Sequence, residues 1–150
     1  MCGIAGWINL PATPLEALDK MLNLIRHRGP DDSQTYADRE FTCGMVRLAI
    51  NGISNGSQPL FSYSGKIALL YNGEIYNSPD LRSELEKKGI HFESDSDGEV
   101  ICHLFEMEGP KAFRKLDGMF AAALWNREKR QLTLVRDLPG EKPLYYANHP

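Results

Sequence analysis

The order of its strand and helix patterns most restricts how this chain can fold. Short runs of apolar and β-branched residues predict strands at residues 4–9, 41–50, 67–71, 120–125 and 132–135, with helical patterns among them. Strands and helices do not alternate one by one, and strands that are neighbours in the sequence are often separated only by turns. This order favours an α+β fold of stacked layers over a doubly wound parallel sheet.

Two of the predicted helices have clear start and stop signals. The first begins at the cap Thr13-Pro14, and its apolar residues recur at helical spacing up to Arg26. The second begins at Ser78-Pro79, turns Leu81 and Leu85 inward, and closes at residues 87–89. Both helices are therefore expected to bury one apolar face.

The third helix is predicted from a capping box in which Glu99 follows Ser96 by three residues. An apolar stripe follows, and Gly109-Pro110 stops the helix. Asp97 then falls in its first turn, where a carboxylate is an ordinary residue.

Composition indicates one domain and excludes several functional classes. The chain has 150 residues, is 42% hydrophobic and carries a net charge of −3, so no basic field supports nucleic-acid binding. No apolar run approaches the roughly 18 residues of a membrane span, and the start lacks the layout of a secretion signal. We therefore expect a cytoplasmic protein that binds neither nucleic acid nor a membrane.

The cysteines and histidines show no metal-binding or disulfide pattern. Three cysteines are an odd number without Cys-x-x-Cys spacing, and Cys43 and Cys102 lie in apolar stretches where they are expected to pack as small hydrophobes. The histidines are interpreted as structural or surface residues: His27, His91, His103 and His149.

Cys2 directly follows the initiator methionine. Removal of Met1 would place a thiol beside a free α-amine, which titrates near working pH, at roughly 7.7 to 8.0. A terminal amine can serve as the base that activates a nucleophile. Most second-position cysteines have no such role, so Cys2 alone supports catalysis only weakly.

Asn72-Gly73 has two readings. Asn-Gly between apolar residues is a strong hairpin signal, and the spacing by itself favours that reading. The other is an oxyanion hole, in which the Asn72 amide and the Gly73 N–H face a developing negative oxygen. The two readings can coexist.

Four charged residues are ordinary when each is considered alone. Arg28 belongs to a basic cluster at the end of the first helix, and Arg47 lies among apolar strand residues, where an arginine without a partner is expected to face solvent. Glu74 and Asp97 could together hold an ammonium group.

Taken together, eight segments resemble one family in order along the chain. The sequence is similar to the glutaminase domain of class II glutamine amidotransferases, nearest to the asparagine synthetase type. The matching segments are Cys2-Gly3-Ile4, Arg26 to Asp31, Arg47-Leu48, Gln58-Pro59-Leu60, Tyr71 to Asn77, Asp97 to Val100, Leu116 to Phe120, and Arg136-Asp137 with Lys142 to Tyr146.

The resemblance implies an N-terminal-nucleophile fold, in which two antiparallel sheets stack between helical layers in an αββα sandwich. It implies that the Cys2 thiolate attacks the glutamine carboxamide, that Asn72 and Gly73 hold the oxyanion, and that Arg28 orients the N-terminus. Arg47 would pair with the α-carboxylate of glutamine, and Glu74 and Asp97 with its α-ammonium. Neither a metal nor an organic cofactor is implied for this half-reaction.

The same resemblance implies an ammonia acceptor outside this chain. Asparagine synthetases continue into a synthetase domain that uses ATP and Mg²⁺ to activate aspartate. Residues 1–150 are accordingly expected to be a glutaminase domain truncated at its C-terminal end, without the synthetase domain. A sugar or peptide carboxylate as acceptor, a non-catalytic glutamine-binding module, and assembly as a homodimer all remain open.

Three departures from the family's pattern indicate a divergent member. Ala49 to Gly52 replaces a run that usually holds a serine and an aspartate, Leu138 to Glu141 differs from the usual form, and Met45 stands where relatives often have histidine.

Overall fold

The computed structural model describes residues 1–9, 15–50 and 52–148. The predicted cap Thr13-Pro14, together with Asn51 and His149, lies outside the described residues. The elements in chain order are β1 Gly3–Ile8, α1 Leu15–Ile25, β2 Asp32–Ala37, β3 Phe41–Arg47, β4 Leu60–Phe61, β5 Ile67–Ile75, α2 Ser78–Lys87, α3 Glu99–Glu108, β6 Gly118–Asn126 and β7 Gln131–Arg136. Two 3₁₀ segments, Arg26–Arg28 and Gly109–Lys115, follow α1 and α3.

The strands form two antiparallel sheets. The three-stranded sheet has the order β1-β3-β2, and the four-stranded sheet has the order β4-β5-β6-β7. All five predicted strands are present, although β5 runs four residues beyond its predicted end at Tyr71. Strands β2 and β4 were missed: β2 is an edge strand with mostly exposed side chains, and β4 has only two residues.

Alternation of side chains along β3 and β5 decides which residues face the layer between the two sheets. From β3, Phe41, Cys43 and Met45 point toward the other sheet, and Ala68 and Leu70 of β5 point back at them. Met45 is fully buried in this inter-sheet layer, which suits an apolar side chain. Because successive strand residues face opposite sides, Arg47 and Asn72 continue these same two faces.

Helices cover the outer face of each sheet and complete four layers. Leu18 and Leu22 of α1 pack on Val46 of the three-stranded sheet. Leu85 of α2 and Leu104 of α3 belong to the cluster on the outer face of the four-stranded sheet. The α+β prediction and the αββα sandwich are thereby confirmed.

Candidate active site

One cleft at the end of the inter-sheet space gathers all but one of the residues singled out from the sequence; Arg28 is the exception. The cleft is lined by Met1, Cys2, Arg47, Leu48, Ile50, Gln58, Tyr71, Asn72, Gly73, Glu74, Ser96, Asp97, Met119 and Lys142. They come from seven separate stretches of chain. The cleft is therefore formed by the tertiary fold, which brings these stretches together, and no single motif forms it.

Cys2 is held at the mouth of the cleft by two contacts of different kinds. Its thiol donates a hydrogen bond to the Leu48 carbonyl, with Sγ 3.7 Å from the oxygen. The Arg28 guanidinium donates from Nε to the Cys2 carbonyl at 3.1 Å. The residue that would become the N-terminus is therefore fixed on its backbone side, while its thiol stays inside the cleft.

The segment Arg26 to Asp31 brings Arg28 to this position. Gly29 lies so close to β3 that a Cβ there would stand 2.5 Å from the backbone carbon of Arg47, so a larger residue would push the segment away. Asp31 accepts the Ala49 N–H at 2.9 Å, which fixes the chain just beyond Leu48. The basic cluster at the helix end is thus part of the site's framework.

Asn72-Gly73 lies inside strand β5, so the hairpin reading was wrong. Asn72 pairs with Ala121 and Gly73 with Phe120 across β6. A Cβ on Gly73 would lie 2.1 Å from the Met119 carbonyl oxygen. Glycine is thus required by close strand approach and not by a turn. The Asn72 amide, 6% exposed, faces the inter-sheet space where Cys2 lies.

Arg47 is buried in the cleft, so the expectation that it faces solvent was also wrong. Its side chain is 5% exposed, and Nη2 donates to the Gly52 carbonyl at 2.6 Å. The burial follows from the strand alternation, which turns residue 47 to the same face as Met45. A guanidinium is a planar fork whose geometry suits a carboxylate.

Asp97 precedes α3 and does not lie in its first turn as predicted. One of its oxygens, Oδ2, accepts the Tyr71 hydroxyl at 2.8 Å and the Ile75 N–H at 2.6 Å. Burial and the Asp97 carboxylate raise the pKa of Tyr71, so this phenol remains a donor at neutral pH. Half-buried Glu74 also lines the cleft.

Glu99 holds the loop before α3, but not through the predicted capping box. Its carboxylate accepts the Glu93 and Ser94 N–H groups at 2.8 Å each and also the Ser94 hydroxyl. Its Oε1 lies 3.2 Å from His103 Nε2. Although burial acts to raise the pKa of Glu99, these hydrogen bonds outweigh it and hold the pKa at about 2.

Two further groups at the site had no role predicted from the sequence. Gln58 exchanges two hydrogen bonds with the Tyr71 backbone, as a neighbouring strand would. Asp137 accepts the N–H groups of Phe120, Glu141 and Lys142, and so holds Lys142 against β6. Only their place in the matching segments could have drawn attention to them.

The other titratable residues take structural or surface positions. Cys43 and Cys102 are 1% and 0% exposed, and burial raises the pKa of the Cys43 thiol to about 12. His103 is buried and structural, whereas His27 and His91 are exposed. Within the described ranges, no group of three His, Cys, Asp or Glu side chains could hold a metal ion.

Comparison with known proteins agrees with this geometry. The model of the glutamine amidotransferase domain family matches residues 1–150, and the chain belongs to that family. A solved glutamine phosphoribosylpyrophosphate amidotransferase from Bacillus subtilis superposes with a TM-score of 0.63. It is 24% identical, and the match covers 84% of this chain and 35% of that one. This likeness shows the fold.

Within this family, the chain is similar to curated asparagine synthetases. The glutamine-hydrolysing asparagine synthetase 2 of Bacillus subtilis is 40% identical over 98% of this chain, and the match covers 20% of that protein. Asparagine synthetase B of Escherichia coli is 39% identical over 99% of this chain and 28% of that protein. The chain thus spans between a fifth and somewhat more than a quarter of their length.

In the part of the chain that the structure describes, no helix is both long and apolar enough to cross a membrane.

Proposed function

We propose that this chain hydrolyses glutamine to glutamate and ammonia with Cys2 as the nucleophile, after Met1 has been removed. The observation that carries the proposal is the meeting of the Cys2 thiol, Asn72-Gly73, Arg47 and Asp97 in one cleft. A nucleophile, candidate oxyanion donors and groups for both charges of a free amino acid are the parts that this reaction needs.

The two ends of the cleft suit the two ends of glutamine. The Arg47 guanidinium would bind the α-carboxylate, and Glu74 and Asp97 would accept hydrogen bonds from the α-ammonium. Met1 lines the cleft and is 55% exposed. Its removal enlarges the space in front of the thiol and frees the α-amine.

The chemistry then proceeds in two balanced steps. The neutral α-amine of Cys2 takes the thiol proton, the thiolate attacks the carboxamide carbon, and the oxyanion is held by the Asn72 amide and the Gly73 N–H. The C–N bond breaks as the Cys2 α-ammonium gives its proton to the departing ammonia. Water then attacks the glutamyl thioester, and the thiol is released with glutamate. Arg28 keeps the N-terminal residue in position throughout by its bond to the Cys2 carbonyl.

The ammonia is proposed to pass to a synthetase domain or subunit that makes asparagine from aspartate with ATP and Mg²⁺. The curated relatives described above support this acceptor, since they are named glutamine-hydrolysing asparagine synthetases. ATP and Mg²⁺ would be bound by that synthetase part and not by the cleft described here. We further propose that the protein works in the cytoplasm.

The deciding experiment replaces the nucleophile. A preparation shown by intact mass to begin at Cys2 is compared with Cys2→Ala for glutamate release from glutamine. We expect loss of at least about three orders of magnitude in kcat, because the covalent route is removed. Cys43→Ala is the matched control, since that thiol is buried outside the cleft. Undiminished turnover by Cys2→Ala would refute the proposal. Saturable glutamine binding without turnover by the wild type would instead indicate a binding module.

A further inference from the structure

Lys142 is a buried cation in the cleft with an unusually weak partner. Its side chain is 8% exposed, and it lines the same cleft as Cys2 and Asn72. Among residues 1–9, 15–50 and 52–148, its ammonium has one hydrogen bond, to the Met1 thioether, with Nζ 3.6 Å from Sδ. A thioether is a weak acceptor, and a buried cation ordinarily has a carboxylate or several oxygen partners.

The backbone of Lys142 is held firmly at the reacting end of the cleft. Its N–H donates to Asp137 Oδ2 at 3.1 Å, and the Phe120 N–H donates to the same oxygen at 3.0 Å. Phe120 is the strand partner of Gly73. These N–H bonds hold the pKa of Asp137 below its ordinary value in spite of its burial, so its carboxylate anchors Lys142 across a wide pH range.

Removal of Met1 takes this acceptor away from a cleft that Lys142 and Cys2 both line. We propose that Lys142 then serves as a fixed positive charge that favours the thiolate form of Cys2 and the neutral form of its α-amine. This inference rests on the proposed glutaminase function, because Lys142 can affect turnover only if Cys2 is the nucleophile of that reaction. Lys142 acts on the reaction only through its electrostatic effect on Cys2 and does not itself touch the substrate.

The charges around the cleft give Lys142 its importance. Two cations, Arg47 and Lys142, face two carboxylates, Glu74 and Asp97, while the Tyr71 phenol is neutral and Arg28 bonds to the Cys2 carbonyl from outside the lining. Without Lys142 the lining would carry an excess of one negative charge. That charge would oppose formation of a thiolate and favour protonation of the amine.

Alkylation of Cys2 by iodoacetamide tests the charge effect without needing turnover. Cys43 and Cys102 are almost fully buried, so the modified residue, identified by mass spectrometry, reports Cys2. For Lys142→Met we expect the pH midpoint of the alkylation rate to rise by roughly half a unit to one unit. The rate at pH 7 should correspondingly fall about three- to tenfold. Lys142→Arg should retain the wild-type midpoint.

Lys111→Met is the control, because Lys111 is exposed and lies outside the cleft. An unchanged midpoint in both Lys142→Met and Lys142→Gln, with folding verified by circular dichroism, would overturn the inference. An equal shift in Lys111→Met would also overturn it. Glutamate release, measured on the same preparations, keeps the two proposals separate. If the wild type releases no glutamate but Lys142→Met still shifts the alkylation midpoint, the Lys142 inference is supported and the glutaminase function is refuted.

Discussion

The two ends of the cleft are built from different kinds of structure. At the reacting end, Asn72-Gly73 lies within a strand that pairs with β6 through nine consecutive residues. At the recognition end, Arg47 is held by a loop carbonyl, and Asp97 stands in the loop before α3. The sheet alone fixes the groups that would stabilise the oxyanion. Of the groups that would select the substrate, Glu74 lies in β5, Arg47 ends β3 and bonds to a loop carbonyl, and Asp97 lies in a loop. We therefore expect changes at the first end to affect folding and turnover, and changes at the second to affect substrate affinity.

The largest effect is expected from Gly73→Ala. The new Cβ would meet the backbone of Met119 and Phe120 at 2.1 and 2.6 Å, and neither strand can yield without breaking the pairing. We expect a loss of roughly 3 kcal/mol or more in the free energy of unfolding, measured by urea denaturation. Gly89→Ala is the comparison variant: no atom lies within 4 Å of its Cβ, so it should cost only the roughly 1–2 kcal/mol of a left-handed backbone at φ 84°. Equal stability of the two variants would contradict a reacting end fixed by the sheet.

Arg47→Lys should chiefly weaken glutamine binding. Lysine keeps the charge but loses the planar fork that can bind a carboxylate with two hydrogen bonds. We expect KM for glutamine to rise about 10- to 100-fold, corresponding to roughly 1.5–3 kcal/mol for a charged hydrogen bond, with a smaller change in kcat. Steady-state kinetics and calorimetry with glutamine on the Cys2→Ala background measure this. A fall in kcat without a change in KM would place Arg47 at the wrong end of the cleft.

Glu99→Gln tests whether one buried carboxylate holds the loop before α3, in which Asp97 lies. The pKa of Glu99 is about 2 in the fold and 4.5 ordinarily. A lowered pKa stabilises the fold above pH 4.5, and this contribution is lost as the pH falls toward 2. We expect Glu99→Gln to be about 2 kcal/mol less stable than wild type at pH 7. The difference should narrow toward pH 2.5 in urea denaturation.

Other carboxylates, Asp137 among them, contribute to acid destabilisation of both proteins, so only the difference between wild type and variant reports Glu99. A difference that stays constant from pH 7 to pH 2.5 would show that its charge does not hold the loop. Glu86→Gln, on an exposed helix position, should leave stability within about 0.5 kcal/mol of wild type.

Tyr71→Phe should give the smallest of these effects. The change removes one of the two donors that hold Asp97 Oδ2 and leaves the Ile75 N–H in place. A hydrogen bond from a neutral phenol to a carboxylate contributes about 1.5 kcal/mol, so KM should rise by up to roughly tenfold while kcat changes little. Tyr146→Phe, at an exposed position, is the control. An unchanged KM would show that Ile75 alone suffices to position Asp97.

The elements were predicted well where periodic apolar residues decide them. Helix α2 was predicted with its observed start at Ser78 and its buried Leu81 and Leu85. Strand β2 was missed because its sequence, Asp-Ser-Gln-Thr-Tyr-Ala, is largely polar, as an edge strand tolerates. The capping box failed because Glu99 finds stronger partners in Ser94 and His103 than in Ser96.

The site residues could be selected from the sequence only as a set. Judged alone, Asn72-Gly73 indicated a turn and Arg47 a solvent-facing side chain, since local sequence carries no information on which strand lies opposite. The eight matching segments supplied what local patterns could not. Their order along the chain identified the family, which the comparisons confirmed, while the roles of the individual residues stay predictions.

The sequence by itself determined the α+β class, the buried faces of the helices and the family, because these depend on local periodicity and on short segments in a fixed order. Only the tertiary structure decided where the chemistry meets. Strand alternation turns Arg47 and Asn72 into the space between the sheets, and antiparallel pairing forces glycine at position 73. The Asp137 carboxylate accepts the Phe120 N–H of strand β6 as well as the Lys142 N–H, and so holds Lys142 beside the strand partner of Gly73. Such placements depend on contacts between residues distant in the sequence, which no local pattern encodes.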